Sequence, residues 1–207
     1  MRGSATAGRD LIILSIVWTI ALVASGVDPY DRFTWVLEVL PAVIALPILW
    51  LTRQQHPFTT LVYGLILFHG LVLILGGTYT YARTPLGFWI QEWFDLERNP
   101  YDRLAHIVQG FVPALIAREL LIVPLGYTRG PMLNLIIVCI CVAISAVYEL
   151  IEWWGALAIG EGANAFLGTQ GDPWDTQADI FMALIGAILA LVLLSRVHDR
   201  ALAKRRG

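Results

Sequence analysis

The chain has 207 residues, of which 57% are hydrophobic and only 14% charged, with a formal net charge of −2; its mean hydropathy is +0.68. Soluble domains carry nearer a quarter charged residues, so this composition excludes an ordinary soluble domain and belongs to the membrane class. No basic–aromatic stripe accompanies the small net charge, so no nucleic-acid partner is expected.

A bilayer core of about 30 Å takes roughly 20 apolar residues in a helix. Six stretches meet that need: 10–26, 33–52, 58–80, 102–122, 131–154 and 176–196. The first is the shortest. Met1 to Asp10 leads straight into it with no small-residue cleavage site, which predicts a retained helix and not a removed signal peptide. Pro41 and Pro47 should kink the second, which a membrane tolerates where neighbours re-satisfy the backbone. Between the third and fourth stretches, Pro85 can open a short helix over about 85–97. Leu86, Trp89, Ile90, Trp93 and Phe94 form an apolar stripe along it, with Gln91, Glu92, Asp95 and Arg98 opposite. That is the pattern of an interfacial helix, either a surface anchor or a lid. Cys139 and Cys141 lie in the fifth stretch on different helix faces, so neither a mutual disulfide nor a two-cysteine metal site is expected. Gly160 to Asp172 matches no phosphate loop, lacking the Lys-Ser/Thr ending and a preceding strand, and reads as a tight, mobile outer loop. The expected fold is all-α: a polytopic membrane protein with a single transmembrane domain over 1–207, six spanning helices and one short outer interfacial helix.

Orientation follows from the basic residues. With the N-terminus cytoplasmic, the inner side holds Arg2, Arg9, Arg53, Arg118, Arg129 and the cluster Arg196, Arg200, Lys204, Arg205 and Arg206. Only Arg32, Arg83, Arg98 and Arg103 of the 14 basic residues fall outside. Both termini are therefore expected in the cytoplasm. Trp35, Trp50, Trp153, Trp154 and Trp174 fall at helix ends, as an aromatic belt would. Of the 16 acids only Asp10, Glu119 and Asp199 lie inside. Insertion does not require that asymmetry, so it needs another cause.

The fourth spanning helix carries Asp102, His106 and Gln109 on one face, spaced i, i+4, i+7. The fifth ends with Glu149 and Glu152, spaced i, i+3. The sixth begins with Asp175 and Asp179, spaced i, i+4. Alternating topology puts all three polar faces in the outer leaflet. They form two tiers: Asp102, Glu152 and Asp175 near the interface, and His106, Glu149 and Asp179 a turn deeper, about 5–6 Å by helix rise. Five carboxylates there need a bound cation, shared protons or an open water cavity, with only Arg103 near in sequence as a counter-charge. One imidazole with several carboxylates suits Mg, Mn, Zn or Fe. The candidate metal ligands are His106, Glu149, Asp179 and Asp175, and the candidate catalytic acids or bases are Asp102 and Glu152. Against this, Asp175 and Asp102 are each placed to cap a helix. Glu152 can reach water. His69, midway along the third helix, reads as a hydrogen-bonded packing residue.

The stretches YDRLAHIVQGFVPALIARE, YELIEWW and FLGTQGDPWDTQADIFMALIGA resemble the YjdF-like bacterial inner-membrane proteins. The resemblance implies a six-helix, multi-pass protein of the bacterial inner membrane and carries no catalytic assignment. A more distant likeness is to VanZ-like membrane proteins, through Asp102 with His106, Glu149, and Asp179 followed by Gly186-Ala187. The chain departs from that layout in its GTQGDPWDTQ loop and in having no Asn-x-x-Gly after Asp179. This second likeness implies a cell-envelope setting.

Three functions fit these residues. The first is a metal-dependent enzyme acting on a lipid or lipid-linked substrate at the outer leaflet, with a divalent ion as cofactor. The second is a structural or assembly partner in a membrane complex, as a homo- or hetero-oligomer, whose acidic cluster is held by a cation. The third is a cation or proton transporter, for which no polar trail leads on to the cytoplasm.

Overall fold

The computed structural model describes residues 2–159 and 169–206, so most of the expected loop from Gly160 to Asp172, residues 160–168, lies outside the described residues. The elements are α1 (Arg2–Ser25), α2 (Arg32–Thr52), α3 (Thr60–Tyr79), α4 (Pro85–Trp93), α5 (Tyr101–Ile122), α6 (Pro131–Ile159) and α7 (Asp175–Arg206). Among the described residues six of these are long and apolar enough to cross a membrane, and α4 is shorter. α1 begins eight residues before the expected span and α7 runs ten beyond it. The added α7 segment, 197–206, is rich in Ala, Leu, Lys and Arg, strong helix formers that continue the hydrogen-bonded ladder after the apolar run has ended.

The long helices run alternately up and down. At the end of the bundle near the chain termini, Asp10 of α1 accepts from Thr60 Oγ1 at the start of α3 (2.5 Å), and Arg118 of α5 meets His198 of α7. The opposite end gathers the α1–α2 turn, α4 and the start of α7. There Tyr30 N donates to Thr78 O, and the side chain of Asn99 ties the start of α5 to Thr84. Asp31 caps α2 by accepting from Thr34 N at 2.7 Å, and that amide holds its carboxyl below the usual carboxylate range. Thr59 caps α3.

α5 and α7 run parallel and press closest together. A Cβ on Gly110 would lie 1.9 Å from Ala183 O, and one on Gly186 would lie 2.0 Å from Ile107 O. Ala114, Ala187 and Ala190 continue the seam and are fully buried. Where lipid is as apolar as leucine, small residues let backbones approach and let dispersion hold the pair. The seam also sets the register of the polar face. Four residues before Gly110 and Ala183 come His106 and Asp179, and four before those come Asp102 and Asp175.

Pro85 starts α4 at its first turn, as expected. Leu86, Phe88, Trp89 and Trp93 all point outward, Trp93 being 74% exposed. Gly87 lies flat on Asn99, where any Cβ would collide with the amide. The apolar side chains thus turn outward while the back of α4 is pinned to Asn99, just before α5.

Candidate metal centre in an acidic cavity

The α5–α7 register brings Asp102, His106 and Asp179 together, each offering a ligand atom within 4.8 Å of the others. Carboxylate and imidazole ligands bind divalent ions at about 2.0–2.6 Å, so three such atoms can share one ion. This is a three-ligand Asp–His–Asp cluster able to coordinate a divalent metal. His106 Nε2 lies 3.8 Å from Asp102 Oδ1 and 3.5 Å from Glu149 Oε1 of α6. His106, Glu149 and Asp179 are buried, and the Asp102 side chain is 13% exposed. The Tyr148 ring packs edge-on to His106, with centroids 6.4 Å apart.

These groups border a cavity of about 150 Å³ lined by Asp102, His106 and Gln109 of α5, Tyr148 and Glu152 of α6, and His69 of α3. Several buried polar atoms in this part of the bundle have no hydrogen-bond partner: His69 Nε2 on the cavity wall, Asp179 Oδ1 and Glu149 Oε1 beside His106, and Glu38 Oε2 on α2. A buried acceptor left without a donor costs about 1–3 kcal/mol, and more when charged. The cluster is thus incomplete by itself, and a divalent cation could supply what the carboxylate oxygens lack.

The mouth is built differently. Arg98 Nη1 donates to Asp175 Oδ1 at 2.6 Å and reaches Asp172 Oδ2 at 3.4 Å. Arg103 Nη2 also donates to Asp172. The Trp174 amide, and after it Arg103 and Arg98, hold the Asp172 carboxyl below the usual carboxylate range. Gln170 closes the rim by bridging the Asn99 backbone, accepting from its N–H and donating to its C=O, both at 3.0 Å.

The residues singled out in the sequence therefore divide. Asp102, His106 and Asp179 form the tight group, Glu149 touches it, Glu152 lines the cavity wall, and Asp175 stands at the mouth on Arg98. Asp102 does not cap α5; Asn99 Oδ1 takes the Tyr101 amide instead, and Asp102 turns into the cavity. Asp175 sits in the first turn of α7 and spends its carboxylate on an arginine. His69 is a cavity wall with an unpaired Nε2, not a hydrogen-bonded packing residue. Sequence reasoning missed Glu38, which is 4% exposed on α2 and close enough to Asp102 to feel its charge. The signal was present, an acid two turns inside an apolar run, but nothing in α2 itself said which face it took. Arg98 was also missed as a counter-charge, because the α4–α5 connection that aims it has no periodicity to read.

A second buried cluster lies at the termini end. Glu119 accepts from Thr59 N and Thr59 Oγ1 (both 2.8 Å), His198 Nε2 (2.9 Å) and Arg205 Nη1 (3.0 Å). Arg118 Nη1 donates to His198 Nδ1 at 2.9 Å, and Arg118 Nη2 to Asp199 at 2.8 Å. Arginine only donates, so Nδ1 must accept and Nε2 must carry the proton given to Glu119. Between the two clusters the core is apolar, with Val112, Leu115, Ile137 and Cys141 all fully buried.

A family model described as "Predicted membrane protein (DUF2238)" matches residues 11–200. Inner membrane protein YjdF of Escherichia coli (strain K12) is 50% identical over 189 residues, covering 91% of this chain and 90% of that protein. No solved structure matches. The chain belongs to this YjdF-like family of multi-pass bacterial inner-membrane proteins.

Proposed function

We propose that this YjdF-like inner-membrane protein is a metal-dependent enzyme acting on a lipid or lipid-linked substrate at the outer leaflet, as one transmembrane unit with both termini in the cytoplasm. One observation carries the reading: a three-ligand Asp–His–Asp cluster borders a cavity among carboxylate oxygens that have no other partner. Asp102, His106 and Asp179 hold the ion, and Glu149 joins as a fourth ligand. Asp175 stays with Arg98 at the mouth. Glu152, on the cavity wall and outside the ligand group, is the general base. A bound divalent ion would polarise a phosphoryl or acyl oxygen, or activate water. The orientation rests on the basic cluster Arg196 to Arg206, at the end of α7 away from the site.

A structural cation would satisfy the same oxygens, since the acids come from four helices (α2, α5, α6 and α7). In that case chelation would unfold the protein in detergent as readily as Asp179→Asn does. Transport is less well supported, because the cavity ends on an apolar core and the far side is closed by the Glu119–His198–Arg118 network. Element analysis of purified protein tests the metal directly. We expect near-stoichiometric divalent ion in the wild type and its loss in Asp179→Asn and His106→Ala. Equal, trace contents in all three would end the metal reading.

A further inference from the structure

Among the described residues α2 and α6 make little or no direct contact. Between them lies a groove of about 680 Å³, lined by apolar side chains such as Leu40, Ile44 and Ile48 of α2 and Ile151 of α6. The groove and the acidic cavity share three wall residues, Pro41, Tyr148 and Glu152, so one opens beside the other. Among the described lining residues Glu152 is the one charged side chain in the groove, and it stands at that junction.

We propose that this gap is a lateral doorway for an amphiphile with a hydroxyl-bearing head, its hydrocarbon chain in the groove and its head past Glu152 in the cavity. This deepens the enzyme reading and rests on it for the purpose of the head's arrival. Three features fix the occupant. The groove faces hydrocarbon, so an apolar chain is what fills it. From Leu37 to Ile48 it follows α2 for about 16 Å, roughly half of a 30 Å core, which suits the chain of a lipid from one leaflet. The cavity is lined by the carboxylates of Asp102 and Glu152, and behind Asp102 and His106 lie the unpaired Asp179 Oδ1 and Glu149 Oε1. A hydroxyl can donate to such oxygens, and its own oxygen can bind an ion they hold. A bare phosphate among those acids is repelled.

The test is photo-crosslinking of the full-length protein in phosphatidylethanolamine vesicles containing EDTA, doped with diacylglycerol or phosphatidic acid carrying the same mid-chain diazirine. The diacylglycerol probe should label the α2 and α6 groove peptides several-fold above the lipid-exposed α1 face at Ile13, Ile16 and Ile20. The phosphatidic acid probe should not. Ile44→Trp, at a half-exposed position, and Gly155→Leu should each fill the groove and abolish the excess while α1 labelling stays unchanged. If Gly155→Leu fails to insert, Ile44→Trp decides alone. Even labelling of all exposed faces, equal labelling by the two probes, or indifference to Ile44→Trp overturns the doorway. The readout needs neither ion nor turnover. Groove labelling in a protein that binds no metal would remove the enzyme reading and leave the doorway, and a metal-binding protein with no groove excess would do the reverse.

Discussion

At one end of α5, Glu119 is met by four donors and His198 by a donor and an acceptor. At the other end, Asp102, His106 and Asp179 crowd together with carboxylate oxygens that nothing satisfies. The same two helices, α5 and α7, supply most of both clusters. The difference is one of complement. Near the termini every acid has an arginine, a histidine or a threonine as its match. At the cavity the two available arginines, Arg98 and Arg103, are taken up by Asp172 and Asp175 at the mouth. A network that closes on itself holds helices together, whereas one left open is completed only by a ligand.

Breaking the closed network should have the largest effect. Glu119→Ala strands His198, Arg205 and the Thr59 amide, and should destabilise the protein by about 3–5 kcal/mol, as loss of one partner of a buried pair does. Thermal unfolding in detergent checks it, and a change below 1 kcal/mol would mean the cluster is not the staple described. The open network should respond to metal instead. An ion held at 100 times its Kd should stabilise the wild type by about 2.7 kcal/mol. Asp179→Asn should abolish that gain while leaving metal-free stability within about 1 kcal/mol of wild type, because Asp179 Oδ1 has no partner to lose, whereas His106→Ala should abolish it with an added loss of packing against Tyr148. A metal-independent loss in Asp179→Asn as large as that of Glu119→Ala would erase the contrast between the two ends.

Gly110→Ala probes what connects them. Its Cβ would strike the Ala183 carbonyl, a backbone atom that cannot rotate away. We expect about 1–3 kcal/mol of overpacking strain and a clear loss of metal affinity as His106 and Asp179 move apart. Metal binding untouched by a destabilising Gly110→Ala would show that the seam does not set the site. The smallest effect belongs to Asp199→Asn. Its bonds to Arg118 and Arg129 are part-exposed, and such pairs contribute about 0.2–1 kcal/mol.

Much of this was legible in the residues. The membrane class, the six spans, the short helix opened by Pro85, and the shared face of Asp102, His106 and Gln109 all follow from run length and a 3.6-residue period. Those are local properties, and the backbone in lipid has little choice but helix. Glu149 and Asp179 stood out for the same reason: a charge inside an apolar run is costly enough to need a cause. The pairing of charges was not local. Which arginine neutralises Asp175, that Glu38 of α2 is buried near Asp102, and that Glu119 is closed while Asp179 is open depend on the rotation of each helix about its own axis. Periodicity names the face a residue shares with its neighbours but not the direction in which that face points. The packing of Gly110 and Gly186 against the neighbouring backbones sets that direction for α5 and α7, and only the assembled bundle reveals it.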